Sequence, residues 1–263
     1  MNYNCIIISE SCQTEIPLDI AEFRTHAEVE DVHWWFRARR EIILDQLRKV
    51  LPPGQDRLIA EIGCGTGGNL KFLNHHYRVI GVDVAPEAVA HARTRVNCDI
   101  FLGDFREVLE SRWQQLDGVI LADVLEHIDD DRSFLRDVAE SLKKDAVLLI
   151  TVPAHAFMWS RHDIVLGHRR RYSKAGLRSL WKELPVEEIF FSPFNCFLFP
   201  AIFLFRMLKM DAAASGQSDL KMPSSTTNHL LYRIFSAERA LLRRRPLPWG
   251  ISYMAALRKK GGA

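Results

Sequence analysis

The chain has 263 residues, 48% of them hydrophobic and 26% charged, with a formal net charge of +2; this is the profile of a soluble globular protein with one large core plus a lid, or two small domains. Its 5 cysteines are odd in number, widely spread and without a CxxC pair, which argues against a disulfide framework or a zinc finger and makes a reducing cytoplasm the expected location. The apolar run Cys5–Ile8 has no basic flank to make it a signal peptide, and the stretch from Phe194 to Leu208, broken by Asn195, Pro200 and Arg206, falls short of the ~20 residues that span a bilayer.

Residues 1–25 are weakly patterned and read as a loose arm. From Glu28 to Val50, apolar residues recur at three- to four-residue spacing, which predicts a helix that Pro52-Pro53-Gly54 ends. A β/α alternation follows. Strands are expected at 57–62, 77–83, 99–102, 116–121 and 145–152, and helices at 68–73, 86–95 and 132–142, the second opening with Pro86 in its first turn. Such alternation predicts a parallel sheet with helices on both faces. Segments 154–180 and 194–245 read as additions to that core. Charge divides along the chain: residues 151–263 hold 18 Lys/Arg against 7 Asp/Glu, and the first 150 hold 17 against 26. The basic half is either a surface for something anionic or a plain solvated basic face.

The loop Glu61-Ile62-Gly63-Cys64-Gly65-Thr66-Gly67-Gly68 joins the first strand to its helix. Glycines there let the backbone turn sharply and approach a ligand closely. Gly63, Gly65 and Gly68 satisfy GxGxxG, with Asp83 about 20 residues on, so a dinucleotide-binding unit is one reading. Three features favour S-adenosylmethionine (SAM) instead. Glu61 lies two residues before the first glycine, where an anion suits an ammonium and a sulfonium rather than a pyrophosphate. Gly103-Asp104 after the third strand could accept from an adenine amino group, and Asp123 and Glu126 after the fourth add more acid to the same carboxyl edge.

The motifs EIGCGTG, GVDVAPEAVAHAR, LGDF, ADVLEHIDDDRSFLRDVAESLK and AVLLITVP resemble, in order and spacing over residues 57–153, those of class I SAM-dependent methyltransferases, and most of all the small-molecule group that includes the quinone-biosynthesis O-methyltransferases. The resemblance implies an α/β fold: a doubly wound, mostly parallel seven-stranded Rossmann-like sheet with an N-terminal helical segment and C-terminal lid insertions. It divides the chain into an arm and helical cap (1–50), a SAM-binding core (51–190), and a lid insertion with the final strand (191–263). It implies that Gly63, Gly65 and Gly67 pack against the amino-acid part of SAM with Glu61 beneath, and that Asp83 takes the ribose hydroxyls. Asp104 would hold adenine with Phe105 on the ring, and Ala122-Asp123 would line the methionine side. The product would be S-adenosylhomocysteine (SAH).

The acceptor side is read from the residues after the fifth strand. Trp159 and Tyr172 could stack on a substrate, Arg170 could grip an anion, and His168 or His162 could remove a proton, with Asp163 next to His162 as an orienting group. His127 could cap or orient its loop. His33-Trp34-Trp35-Phe36 with Arg37, Arg39 and Arg40 is placed to close over SAM, one arginine taking its carboxylate, or to anchor a helix in the core. The aromatic run 190–205 is either core packing, a lipophilic substrate wall or an in-plane membrane contact. The expected function is methyl transfer to O or N of a small acceptor. A SAM-binding protein of this fold without methyl transfer is the alternative; an NAD oxidoreductase is disfavoured by the acidic edge, and a nucleic-acid methyltransferase by the lack of an Asn/Asp-Pro-Pro-aromatic motif. No metal is expected, because no His/Cys ligand spacing appears along the chain.

Overall fold

The computed structural model describes residues 28–209 and 222–261. The arm expected over 1–25, with Cys5 and Cys12, lies outside the described residues; Cys64, Cys98 and Cys196 are unbridged.

Seven strands form one sheet: β1 (Gly54–Ile62), β2 (Tyr77–Asp83), β3 (Asp99–Leu102), β4 (Gly118–Ala122), β5 (Val147–Pro153), β6 (Val186–Phe194) and β7 (Ser252–Lys259). Their order is β3-β2-β1-β4-β5-β7-β6, parallel from β3 to β5, with β7 antiparallel between β5 and β6. The central strands are unbroken apolar runs, Leu58-Ile59-Ala60 in β1 and Val147 to Val152 in β5, with Thr151 the polar exception. Such runs are buried because helices cover both faces of a parallel sheet. The chain runs outward from β1 to β3 and then returns to β4 on the other side of β1. That reversal opens a crevice at the carboxyl ends of β1 and β4, the place where open α/β sheets bind ligands.

The helices are α1 (Trp34–Val50), α2 (Gly68–Leu73), α3 (Pro86–Arg95), α4 (Phe105–Val108), α5 (Asp131–Ser141), α6 (Arg161–Val165), α7 (Lys174–Ser179), α8 (Phe199–Lys209) and α9 (Ser225–Leu242). The long first helix begins at Trp34 rather than Glu28, because His33 caps it by accepting from the Trp35 N–H. β6 crosses the boundary expected at 190, so the aromatic run divides between a sheet strand and α8. Part of the basic C-terminal half is spent inside the fold. Arg239 pairs with Glu41 and Asp45 on α1, and Arg243 pairs with Asp45, locking α9 against α1.

Candidate functional site

The glycine loop turns back on itself at the end of β1. Gly63, Gly65 and Gly67 have φ of 74, 53 and 81°, in the left-handed region that costs side-chain-bearing residues. A Cβ on Gly63 would lie 2.7 Å from Val124 Cγ2, whereas one on Gly65 would meet nothing within 4 Å. The loop is therefore packed on one side and open on the other. Glu61 is buried beneath it: Oε1 accepts from Asn69 Nδ2 at 2.7 Å, Oε2 has no hydrogen-bond partner, and burial raises its pKa to about 7. Asp83 braces the same loop, its Oδ2 accepting from Gly65 N at 2.8 Å and Oδ1 from Ala85 N at 2.9 Å. Each oxygen keeps further acceptor capacity. A clasp not expected from the sequence covers the helix side: Glu30 binds Thr66 and Arg95, and its backbone carbonyl accepts from Arg40.

One of the two expected adenine contacts is placed otherwise. Asp104 caps α4 through Arg106 N at 2.8 Å and pairs with the Arg106 side chain at 3.0 Å. Phe105 lies in the core, with its ring 4.8 Å from Phe134 and 6.1 Å from Trp113. This corrects the expectation that Phe105 covers the adenine ring: alternate residues of the turn point inward, and the aromatic one fills the core.

Across the crevice, Asp123 follows Ala122 at the end of β4 with φ of 59°. Arg39 reaches it from α1 at 2.6 Å and donates to Thr151 Oγ1 at 2.8 Å, while Thr151 donates to Asp123 at 2.9 Å. Arg39 Nε is buried without a hydrogen-bond partner, and the guanidinium lies 5.0 Å from the Trp35 ring centroid. Of the three early arginines, Arg39 thus reaches the end of β4, while Arg40 lies against the glycine loop at Gly68.

Farther out, Glu126, His127 and His168 come together. One ligand-type atom from each lies within 4.8 Å of the others. Glu126 is 0% exposed, and neither carboxylate oxygen has a hydrogen-bond partner. His127 and His168 rings stand nearly perpendicular at 4.9 Å, and burial lowers the His127 pKa to about 4. His168 Nδ1 meets Asp163 Oδ1 at 2.9 Å, and its Nε2 faces Glu126 Oε1 at 4.0 Å.

The segment from Trp159 to Tyr172 is held by its own charges. Asp163 closes a capping box with Ser160 at the start of α6 and binds Arg171 Nε at 2.7 Å; His168 and Arg171 hold its carboxyl well below the usual range. Asp163 therefore orients His168, five residues on; the ring centroid of His162 lies 6.5 Å from that of His168. Arg170 donates to Asp129 O at 2.8 Å and pairs with Asp131 at 3.1 Å. The Tyr172 hydroxyl is 2.6 Å from Asp131 Oδ2 and 3.0 Å from Leu125 O. Arg170 and Tyr172, expected on the substrate, instead tie this segment to the loop after β4, because each finds a fixed acid there. Trp159 remains 40% exposed. The aromatic run meets the same segment: Phe157 packs edge-on against Phe203 at 5.9 Å, Phe203 stacks on Phe199 at 6.1 Å, and His155 stacks on Phe157 at 5.0 Å.

A seven-stranded sheet with an antiparallel β7, a glycine loop after β1 and an acid closing β2 define a Rossmann-like methyltransferase fold. Residues 59–145 match the family described as a methyltransferase domain. A probable SAM-dependent methyltransferase of Mycobacterium tuberculosis is 29% identical over 65% of this chain and 62% of its own length. The human mitochondrial ubiquinone biosynthesis O-methyltransferase is 30% identical over 43% of this chain and 35% of its own. Among solved structures, a SAM-dependent methyltransferase from Archaeoglobus fulgidus superposes with a TM-score of 0.53 at 20% identity, covering 84% of this chain and 94% of that one. Residues 59–145 carry a methyltransferase domain, and the chain is similar to SAM-dependent methyltransferases; it spans about three-fifths of the length of the mycobacterial relative.

Proposed function

We propose that the protein binds SAM in the β1–β4 crevice and transfers its methyl group to an oxygen or nitrogen of a small lipophilic acceptor. The observation that carries the cofactor reading is the orphaned Glu61 Oε2, buried beneath a loop whose Gly65 face is open. A buried carboxylate oxygen without a partner is costly, and the ammonium of SAM is a cation of the right size to meet it. Bound SAM would supply a methyl group activated by its sulfonium. The residues that would hold it are the glycine loop and Glu61 at the amino-acid end, Asp83 at the ribose, and Arg39 beside Asp123 at the carboxylate. A pyrophosphate would meet Glu61, Asp83 and Asp123 at one edge, so the same arrangement disfavours NAD.

The acceptor reading rests on the aromatic shelf of Phe157, Phe199 and Phe203 with exposed Trp159. Phe157 and Trp159 lie in the segment that follows β5, and Phe199 and Phe203 on α8 after β6. The shelf supplies apolar area, and the protein's work there is to hold the acceptor in line, which can be worth ~7–11 kcal/mol of barrier. The acceptor's proton passes to the Glu126, His127 and His168 cluster, whose ring-nitrogen and carboxylate atoms lie within 4.8 Å of one another. Among the described residues no helix is long and apolar enough to cross a membrane. Incubating the protein with SAM labelled on its methyl group and a panel of phenolic, quinol and amine acceptors tests this reading. Label transfer to an apolar acceptor is expected. Transfer only to polar or macromolecular acceptors would overturn the lipophilic assignment.

A further inference from the structure

Among the described residues, four other than glycine have a positive φ: Asp123, Asp145, His155 and Asn195. Three are Asp or Asn, whose short side chains tolerate that region. His155 is the exception, with φ of 63° and ψ of 109°, beyond the ψ of ~30–60° where the left-handed well lies. Its neighbours force it there. Ala154 N donates to Ile251 O at 2.8 Å, His155 N to Tyr172 O at 2.8 Å and Tyr172 N to Pro153 O at 3.0 Å, while Arg171 Nη1 holds Ala154 O at 3.0 Å. Strain that the surroundings over-determine in this way clusters at sites where a side chain must be aimed.

His155 lies two residues past β5, at the same end of the sheet as Asp123, whose N–H donates to Thr151 O at 3.0 Å. The strained turn puts its imidazole among the shelf aromatics. The ring centroid is 5.0 Å from that of Phe157, on which it stacks, 5.9 Å from Phe199 and 5.5 Å from Tyr253 on β7. A ring N–H donates to the Gly250 backbone, and Nε2 is buried without a hydrogen-bond partner. The hydrogen is therefore on Nδ1, and Nε2 carries the lone pair. Burial, with Arg171 nearby, lowers the pKa of the ring, so it is uncharged at neutral pH and the lone pair is kept.

The walls cannot satisfy that lone pair. Phe157 and Phe199 have no donor, and the Tyr253 hydroxyl lies against the Lys174 backbone. A buried acceptor left empty costs free energy that an arriving donor recovers. The ring stacked over it, Phe157, is 64% exposed, and exposed side chains change rotamer freely. The way to Nε2 is thus closed by a surface side chain and not by the core.

We infer that His155 is the specificity-determining residue of the shelf: its Nε2 accepts a hydrogen bond from an N–H or O–H carried by an apolar ring that takes the place of Phe157 against the imidazole. The inference rests on the lipophilic-acceptor reading above and narrows it. A wholly apolar molecule would fill the shelf but leave Nε2 unpaired, and a site built for a donor rejects the analogue that lacks it. His155 holds the acceptor and is not its base, since the proton of the reacting atom passes to the cluster after β4.

The test is calorimetric titration of the full chain, saturated with SAH, with indole and with indene, which has nearly the same shape but a CH2 in place of the N–H. The ratio of the two affinities is the readout, because a merely structural histidine would shift both alike. In His155→Phe the preference for indole should fall by roughly 3- to 10-fold, the scale of one neutral hydrogen bond. His155→Gln keeps an acceptor oxygen and should hold the preference within about twofold. Should His155→Phe fail to fold, His155→Gly gives the same comparison and relieves the backbone. Both probes bound with a ratio unchanged by the loss of the imidazole would overturn the role of His155 and leave the lipophilic acceptor standing. Binding of neither probe by the unmodified chain would overturn the lipophilic acceptor, and the role of His155 with it.

Discussion

The two sides of the crevice are stabilised by different physics. The cofactor side is a matter of backbone: three left-handed glycines, a carboxylate receiving two amide hydrogens, and a loop seated on Val82 O through Gly63 N at 2.8 Å and Cys64 N at 3.1 Å. The acceptor side is a matter of side chains. Asp163 pairs with His168 and Arg171 within one segment, and Tyr172 ties that segment to Asp131, 41 residues upstream, beside a Glu126 whose carboxylate oxygens have no hydrogen-bond partner. A backbone site survives loss of most single side chains, whereas a buried charge network fails when one member is removed.

That contrast predicts the largest stability loss at Arg171→Ala. It strands the fully buried Asp163 carboxylate, and breaking such a pair costs ~3–5 kcal/mol; a shift in the urea midpoint measures it. A loss under ~1 kcal/mol would mean that the segment is held by Tyr172 and the arginine–backbone contacts alone.

On the other side, Gly63→Ala should cost binding more than folding. Its Cβ would press on Val124 at φ of 74°, a strain of ~1–3 kcal/mol, and the loop must shift away from the ligand to relieve it. Asp83→Ala should weaken SAH by ~1.5–3 kcal/mol, the scale of hydrogen bonds to a charged acceptor, as calorimetry would show. Unchanged affinity would remove Asp83 from the ribose.

Much of the cofactor side was legible in the chain because its signals are local. The strand bounds 77–83 and 99–102, the helices 68–73 and 86–95, and the spacing from Gly63 to Asp83 all lie within stretches where periodicity and glycine placement determine the backbone. The acceptor side was less legible. Sequence adjacency paired His162 with Asp163, but the capping box turns the carboxylate toward His168 and Arg171. Arg170 and Tyr172 looked free to meet a ligand because the acids that hold them, Asp129 and Asp131, lie 41 residues upstream. Phe105 followed an adenine-type aspartate, yet its ring was needed between Trp113 and Phe134. Glu126 was legible only as one more acid at the carboxyl edge; that it is wholly buried was not.

The same contrast extends to pH. Glu238 on α9 is fully buried, accepts from Phe197 N at 2.7 Å, and has its pKa raised by burial to about 7 from an ordinary 4.5. A raised folded-state value means that the fold prefers the protonated form. Its stabilising share is complete below pH 4.5 and is lost as the pH rises through about 7. The melting temperature of Glu238→Gln should therefore fall less than that of the unmodified chain over this range. The smallest effect expected is at His162→Ala, which should keep turnover within about threefold, while His168→Ala should lose ~10²–10⁴ in kcat. Equal losses at both would return the proton to either histidine.

The account turns on Glu61 meeting a cation in the crevice, and calorimetric titration of SAH and of NAD at pH 6 and 8 tests that most directly. Glu61 is protonated in much of the free protein below about pH 7, and the ammonium of SAH favours its ionised form. SAH should therefore bind more tightly at pH 8 than at pH 6, the difference should vanish in Glu61→Gln, and NAD should give no heat. Tight NAD binding, or SAH affinity indifferent to both pH and Glu61→Gln, would contradict it.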